Sequence, residues 1–407
     1  MKEKTKVLFL IHTLGGGGAE RVLVDMISML DKKQFEVCLM TVIDTGVYKN
    51  QLPSWIEYRT IFKSPFGKEP KQKKDNQAAN SGSLMGKGGH IRNVLAHVYR
   101  FLWRVLPIDW MYNKYISDSW DVEVAFLEGV CAKLISKAPD SAKKIAWIHT
   151  DIINNAKSSK FFSSYAQEFE TYDAFDSIVC VSHQVKTNFD RRFPSLCEKS
   201  IVIHNVINSA AIVEKSRDMV PDGFKENDRF SICSIGRLAY VKGIDRLINA
   251  LAELRAANYD FVCYIVGDGP ERKAAEKAVY ERGLFDNVLF LGYVSNPYPL
   301  LAKVDLCVCA SRVEGYSTIV TEACILGTPV LTTNCPGMEE QLGTSQFGLI
   351  VENSEEGFVR GLLSIFESSD LYSVLKERAG EKKRTLLEKN EGIFAVESLL
   401  QDDKFRN

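Results

Sequence analysis

Short unbroken apolar runs alternate along the chain with longer segments in which apolar residues recur every three or four positions. In the first half, Val7–Ile11, Glu36–Val42, Val122–Leu127, Lys144–Ile148, Ser177–Val181 and Ser200–Ile203 predict strands. In the second, Phe230–Ile235, Phe261–Val266, Val288–Leu291, Leu306–Ala310 and Pro329–Thr333 do the same. Continuous rather than alternating apolarity is what parallel strands covered on both faces require. The intervening segments are amphipathic: Val22, Leu23, Met26, Ile27 and Leu30 share one helical face. Strands alternating with helices imply βαβ crossovers and a doubly wound α/β fold.

The pattern starts twice. A polar stretch over 216–228, with Pro221-Asp222-Gly223, separates two strand–helix series. The organisation expected is a Rossmann-like domain over 1–208, a second over 209–385, and a C-terminal helix over 386–407 packing back toward the first. Doubly wound sheets bind ligands beyond the carboxyl ends of their strands, so two such edges facing one interdomain cleft would enclose one molecule.

One segment departs from this rhythm. Between Lys63 and Arg104 nine Lys/Arg stand against Glu69 and Asp75, a local net charge of about +7. Lys68–Gly89 reads as a polar loop. Ile91–Trp110 reads as a basic helix bearing Phe101, Trp103 and Trp110, a composition suited to an anionic membrane surface and equally to a core helix with a solvated basic face.

Bulk composition narrows the function classes. The 407 residues carry a formal net charge of -1, with 45% hydrophobic and 25% charged residues, so no global field favours nucleic acid. Six of the ten cysteines (38, 180, 233, 263, 307 and 309) lie in apolar runs and read as buried free thiols, and Cys307-Val-Cys309 lacks a second pair at zinc spacing. The N-terminal apolar run is too short for a signal core, and no window approaches the roughly 20 apolar residues of a membrane span. A cytoplasmic protein is expected, with the basic segment as its candidate contact to the inner membrane face.

Glu314-Gly-Tyr-Ser-Thr-Ile-Val-Thr-Glu322 holds the most chemistry. It follows a predicted strand and leads into a helix ending at Gly327. Free backbone N–H groups and the positive end of the helix dipole suit a diphosphate there, while the two carboxylates suit sugar hydroxyls. A solvated loop glutamate and an ordinary helix-start glutamate are the plain alternative. Arg237 and Lys242 follow another strand end, where two cations can stabilise a departing diphosphate. His149 and Glu128 close first-half strands, Glu128 as a candidate acceptor contact or a cap of the next helix.

Two glutamates separated by seven residues resemble the paired-glutamate element of retaining GT-B glycosyltransferases of family 4. Other stretches match in order: Gly15-Gly16-Gly17-Gly18-Ala19-Glu20, His204-Asn-Val-Ile-Asn208, Ser234-Ile-Gly236-Arg237-Leu238 with Lys242-Gly243, Val266-Gly267-Asp-Gly269, and Phe290-Leu-Gly-Tyr293-Val294. The resemblance implies donor contacts from Gly16, Gly17, Gly236, Arg237, Lys242, Gly267, Tyr293, Val294, Glu314, Gly315, Tyr316, Ser317, Thr318 and Glu322. It implies catalytic roles for His149, Glu314, Arg237 and Lys242. It further implies a nucleotide-sugar donor, commonly a uridine diphosphate sugar, no metal or cofactor, and a hexose or N-acetylhexosamine transferred to a bacterial glycan, lipid-linked in capsule, exopolysaccharide or cell-envelope synthesis. A protein acceptor and a non-catalytic partner subunit are the competing expectations. A nicotinamide dehydrogenase fits poorly, because Glu20 stands where its glycine fingerprint needs a small residue. An epimerase on the same fold would turn over donor without acceptor.

Overall fold

The computed structural model describes residues 3–15, 17–63, 98–153, 158–225, 228–388 and 391–401. The chain divides into two compact units, one of 1–180, 188–201 and the residues from 397 onward, the other of 181–187 and 202–396. The C-terminal residues join the first unit through specific bonds: the Asp31 amide donates to Glu397 (2.9 Å), and Lys143 Nζ donates to the Leu399 carbonyl (2.7 Å). No helix among the described residues is long and apolar enough to cross a membrane.

The first unit is built on β1 (Thr5–Ile11), β2 (Phe35–Asp44), β3 (Glu57–Lys63), β4 (Val122–Ala125), β5 (Lys143–Ile148), β6 (Ser177–Cys180) and β7 (Ser200–Val202). They lie in the order β3-β2-β1-β4-β5-β6-β7, with β1 parallel to both β2 and β4. The second unit carries β8 (Phe230–Ile235), β9 (Phe261–Val266), β10 (Val288–Gly292), β11 (Leu306–Cys309), β12 (Val330–Thr333) and β13 (Leu349–Val351), in the order β10-β9-β8-β11-β12-β13. Each order reverses direction beside its first strand, and at such a switch point the two flanking crossovers diverge and leave a crevice.

Alternation along β9 shows why its run is apolar throughout. Phe261, Cys263 and Ile265 enter one core with Leu247, Leu251 and Phe358, while Val262, Tyr264 and Val266 enter the other with Val320, Ala323 and Leu342. Both faces are covered by helices, so no position on the strand can be polar without cost. Each fully buried side chain of this size contributes on the order of 1.5–3 kcal/mol.

All eleven predicted strands are present, and β3 and β13 are additional. β3 is an edge strand whose outer positions Glu57 and Lys63 are exposed, so it lacks the apolar run that marks the others. The helix expected over Ile91–Trp110 needs correction in its described part. Residues 98–105 are helical, and a separate helix spans Ile108–Tyr115. Pro107, at the N-cap of the second, cannot continue the first. Trp103 turns inward and is buried, whereas Phe101, Val105 and Trp110 are exposed. The expected loop over Lys68–Gly89 lies outside the described residues.

The crevice edge of the second sheet is shaped by glycine. Gly267 donates its N–H to the Gly292 carbonyl (2.7 Å), and a Cβ on Gly267 would stand 1.9 Å from the Gly236 carbonyl oxygen. Gly243, at φ +66°, leads into the helix Ile244–Ala256, and its Cβ would stand 2.0 Å from the Ala310 carbonyl oxygen. Backbone thus rests on backbone just beyond β8, β9 and β11. Gly243→Ala should lower the thermal midpoint by several degrees through both φ strain and collision. Gly380→Ala should raise it slightly, since that site in the helix Ser369–Glu388 is open and alanine favours helix by about 1 kcal/mol. Differential scanning fluorimetry of both variants checks the pair; a midpoint unchanged by Gly243→Ala would refute the close-contact argument.

Candidate active site

The polar chemistry of the second unit gathers at the switch point between β8 and β11. After β8 the chain passes Gly236 and Arg237 and makes a short 3-10 turn, Tyr240–Lys242. After β11 it runs through Ser311 to Glu314. Lys242 Nζ meets Glu314 Oε1 at 2.6 Å, and Ser311 Oγ donates to the same oxygen at 2.6 Å. Burial alone would depress the lysine, but the carboxylate in contact holds its pKa above the ordinary value. The lysine side chain is still 36% exposed and can reach a further anion. Arg312 braces the two loops: its guanidinium grips Asp245 with two bonds (2.8 and 2.6 Å), and its amide donates to Val241 (2.8 Å). Arg237 is exposed.

The helix Thr318–Leu326 begins beside this pair. Ser317 is its N-cap but makes no side-chain capping bond, which leaves the first-turn N–H groups available to an anion. Gln341 instead fixes the Ser317 backbone, accepting its N–H (3.1 Å) and donating to its carbonyl (2.7 Å). Gly315 packs under Gly337, where a Cβ would lie 2.7 Å from the Gly315 oxygen. The Tyr316 carbonyl accepts from Asn205 Nδ2 (3.1 Å), and its ring stacks on His204 with centroids 4.9 Å apart. Glu322 lies one turn into the helix, buried, and accepts from the Tyr298 hydroxyl (3.1 Å). Tyr293 is exposed at the end of β10, with Val294 packed partly against the core.

The structure therefore brings Lys242 and Glu314 into direct contact and joins the Gly236 and Gly267 turns. Glu322 is partnered within the core, on the far side of one helical turn. Sequence reasoning missed Ser311, Arg312 and Gln341, which hold the site without carrying a motif of their own, and it gave Asn205, inside His204-Asn-Val-Ile-Asn208, no part in holding Tyr316. A lone serine or glutamine gives no pattern to find.

In the first unit, Gly16 lies outside the described residues. Gly17 is the N-cap of the helix Gly18–Met29 and lies under Glu20, whose Oε2 would be 2.2 Å from a Cβ there. Glu128 does not cap the following helix, whose N-cap is Gly129. Its Oε1 accepts instead from the His149 amide (2.7 Å), the Thr150 amide (2.8 Å) and the Thr150 hydroxyl (3.1 Å), and so holds the turn after β5. Burial raises its pKa despite these bonds. His149 packs on Phe126 with centroids 4.7 Å apart, and burial pulls its pKa down to about 3. Its Nε2 is buried and has no hydrogen-bond partner among the described residues.

Residues 216–382, spanning the Lys242–Glu314 site, match the family model described as glycosyl transferases group 1. A Campylobacter jejuni relative, N-acetylgalactosamine-N,N'-diacetylbacillosaminyl-diphospho-undecaprenol 4-alpha-N-acetylgalactosaminyltransferase, is 27% identical over 92% of this chain and 93% of its own length. The lipopolysaccharide core biosynthesis glycosyltransferase LpsE of Rhizobium meliloti is 32% identical over 37% of this chain and 43% of its own. Among solved structures, Anabaena HepE in complex with UDP and glucose superposes with a TM-score of 0.71 at 18% identity, covering 98% of this chain and all of that one. The two-sheet architecture is that of the GT-B fold, and the second unit carries the match to the group 1 glycosyl transferases.

His149 generates a pH signature. Its native pKa lies below the unfolded value of 6.5, so below pH 6.5 the unfolded chain takes up a proton that the native one refuses. Its contribution to stability is constant above pH 6.5 and falls by about 1.4 kcal/mol per pH unit beneath it. A His149→Asn variant should thus lose less stability than wild type between pH 7 and pH 5, by roughly 2 kcal/mol. Denaturant melts at both values measure this, and parallel losses in the two proteins would show that the imidazole is not the titrating group.

Proposed function

We propose that this protein is a glycosyltransferase that moves a hexose or N-acetylhexosamine, with retention, from a uridine diphosphate sugar to a lipid-linked bacterial glycan in cell-envelope or polysaccharide synthesis. The observation that carries the reading is the Lys242–Glu314 contact beside the uncapped start of the helix Thr318–Leu326. Lys242 has three N–H donors, so it can serve Glu314 and a phosphate together. Arg237 supplies a second cation, and the helix N-terminus supplies aligned N–H groups. Together they stabilise a departing diphosphate without a metal ion. Glu314 accepts from sugar hydroxyls, and His149 offers a neutral imidazole to the transferred sugar. As the bond from the anomeric carbon to phosphate breaks, a phosphate oxygen takes the proton of the acceptor hydroxyl, whose oxygen bonds the anomeric carbon on the same face. The uridine carrier is supported by the HepE complex with UDP, and the lipid-linked acceptor by the name of the Campylobacter relative, an undecaprenol-linked glycan transferase.

Lys242→Ala should reduce turnover by about 10²–10³-fold, the usual effect of removing one transition-state donor. Arg237→Ala should weaken UDP binding in calorimetry, and UDP-sugar consumption with an undecaprenyl-diphosphate glycan acceptor reads the rate. Turnover undiminished in Lys242→Ala would overturn the assignment and favour a non-catalytic subunit.

The acceptor reading places the enzyme at the inner membrane face. Exposed Phe101, Val105 and Trp110, interleaved with Arg100, Arg104 and Lys114, suit an anionic bilayer surface. Phe101→Glu with Val105→Glu should reduce co-sedimentation with phosphatidylglycerol vesicles at least severalfold. Equal sedimentation of variant and wild type would remove this patch as the contact.

A further inference from the structure

His183, His204 and Glu340 form a cluster that the transfer chemistry does not use. Each offers one ligand atom, and the three atoms lie within 4.8 Å of one another. His204 Nε2 is 2.8 Å from Glu340 Oε2, and the rings of His183 and His204 are 6.1 Å apart at 76°. We propose that these three side chains form a binding site for a divalent late first-row metal ion of the zinc class.

Two imidazoles and one carboxylate are a ligand set that zinc accepts with a fourth position left to water. Ligands roughly 2.0–2.2 Å from a tetrahedral ion stand about 3.3 Å from each other, so small rotations of two exposed imidazoles bring the cluster to that spacing. Imidazole donors select zinc, cobalt, nickel or copper over magnesium and calcium, which prefer all-oxygen shells.

The surroundings hold the ligands in place. Glu340 accepts from the backbone amides of His183 (3.0 Å) and Gln184 (3.4 Å), which orient its carboxylate. His204 lies flat on Tyr316, the rings inclined by only 19°. Outer partners of this kind fix ring orientation in metal sites. The ligands come from separate stretches of the second unit: His183 from 181–187, His204 from just after β7, and Glu340 from the helix Met338–Leu342. An ion bound here ties these stretches together beside Tyr316, in the loop that carries Glu314. The site is independent of the proposed donor and acceptor.

Calorimetric titration of chelator-stripped, tag-free protein with zinc chloride tests the site, with cobalt chloride as an optical probe. One zinc per chain, a zinc-dependent rise in melting temperature, and visible cobalt bands of a four-coordinate ion are expected. His183→Ala and Glu340→Gln should each weaken zinc binding by at least about tenfold. His183→Ala leaves the backbone amide bonds to Glu340 in place, and its melting curve without metal verifies folding. Absence of zinc binding would reduce the cluster to a histidine–carboxylate hydrogen bond and overturn the proposal. Binding equally strong in His183→Ala would place the ion elsewhere and overturn it too.

Discussion

The chemistry of the second unit depends on one steric constraint: the backbone at Gly243 touches the backbone at Ala310 with no space for a single carbon between them. That contact brings the turn after β8 onto the loop after β11. Only then can a lysine on one and a glutamate on the other meet at 2.6 Å with a serine on the same oxygen. The Arg312–Asp245 bond pair locks the same two loops a few residues away. A wider separation would leave Lys242 and Glu314 as two solvated charges, worth little to each other. Close packing turns them into a preorganised pair, and preorganised charge is what a separating diphosphate exploits.

The carboxyl edges of the two sheets differ in electrostatic character. At the second, Lys242 keeps its charge, held protonated by its carboxylate partner. At the first, burial drives groups toward neutrality. His149 is pushed far into its uncharged form, and Glu128 is raised although three donors converge on one of its oxygens. A charged edge suits an anionic leaving group. A neutral, desolvated one suits a sugar ring, whose hydroxyls need partners rather than counter-charge.

Much of the fold was legible because parallel strands buried on both faces leave an unmistakable apolar run, as in Phe261–Val266. The strands that escaped notice, β3 and β13, are the half-covered edge and a three-residue stub. Pro107 was visible in the sequence, yet its effect depends on where the preceding helix runs, and Trp103 turns inward as the core-helix alternative allowed. Within the site, Glu314 and Lys242 were legible through spacing and strand-end position. Their mutual contact was not, since it is set by glycine turns some seventy residues apart. Glu322 stands one helical turn in, as its spacing predicts, but its pairing with Tyr298 depends on a residue from another helix. Glu128 reveals its part only in three dimensions, as the anchor of the turn that carries His149.

If His149 meets the sugar as proposed, it also sets a criterion for discrimination. Its Nε2 is enclosed, uncharged and without a partner among the described residues, which leaves one hydrogen bond unmade there. A hydroxyl that reaches this nitrogen gains a bond without first breaking another. A deoxy analogue of equal shape leaves the nitrogen stranded, and sites with a stranded polar atom reject such analogues far more sharply than apolar pockets reject a misplaced methylene.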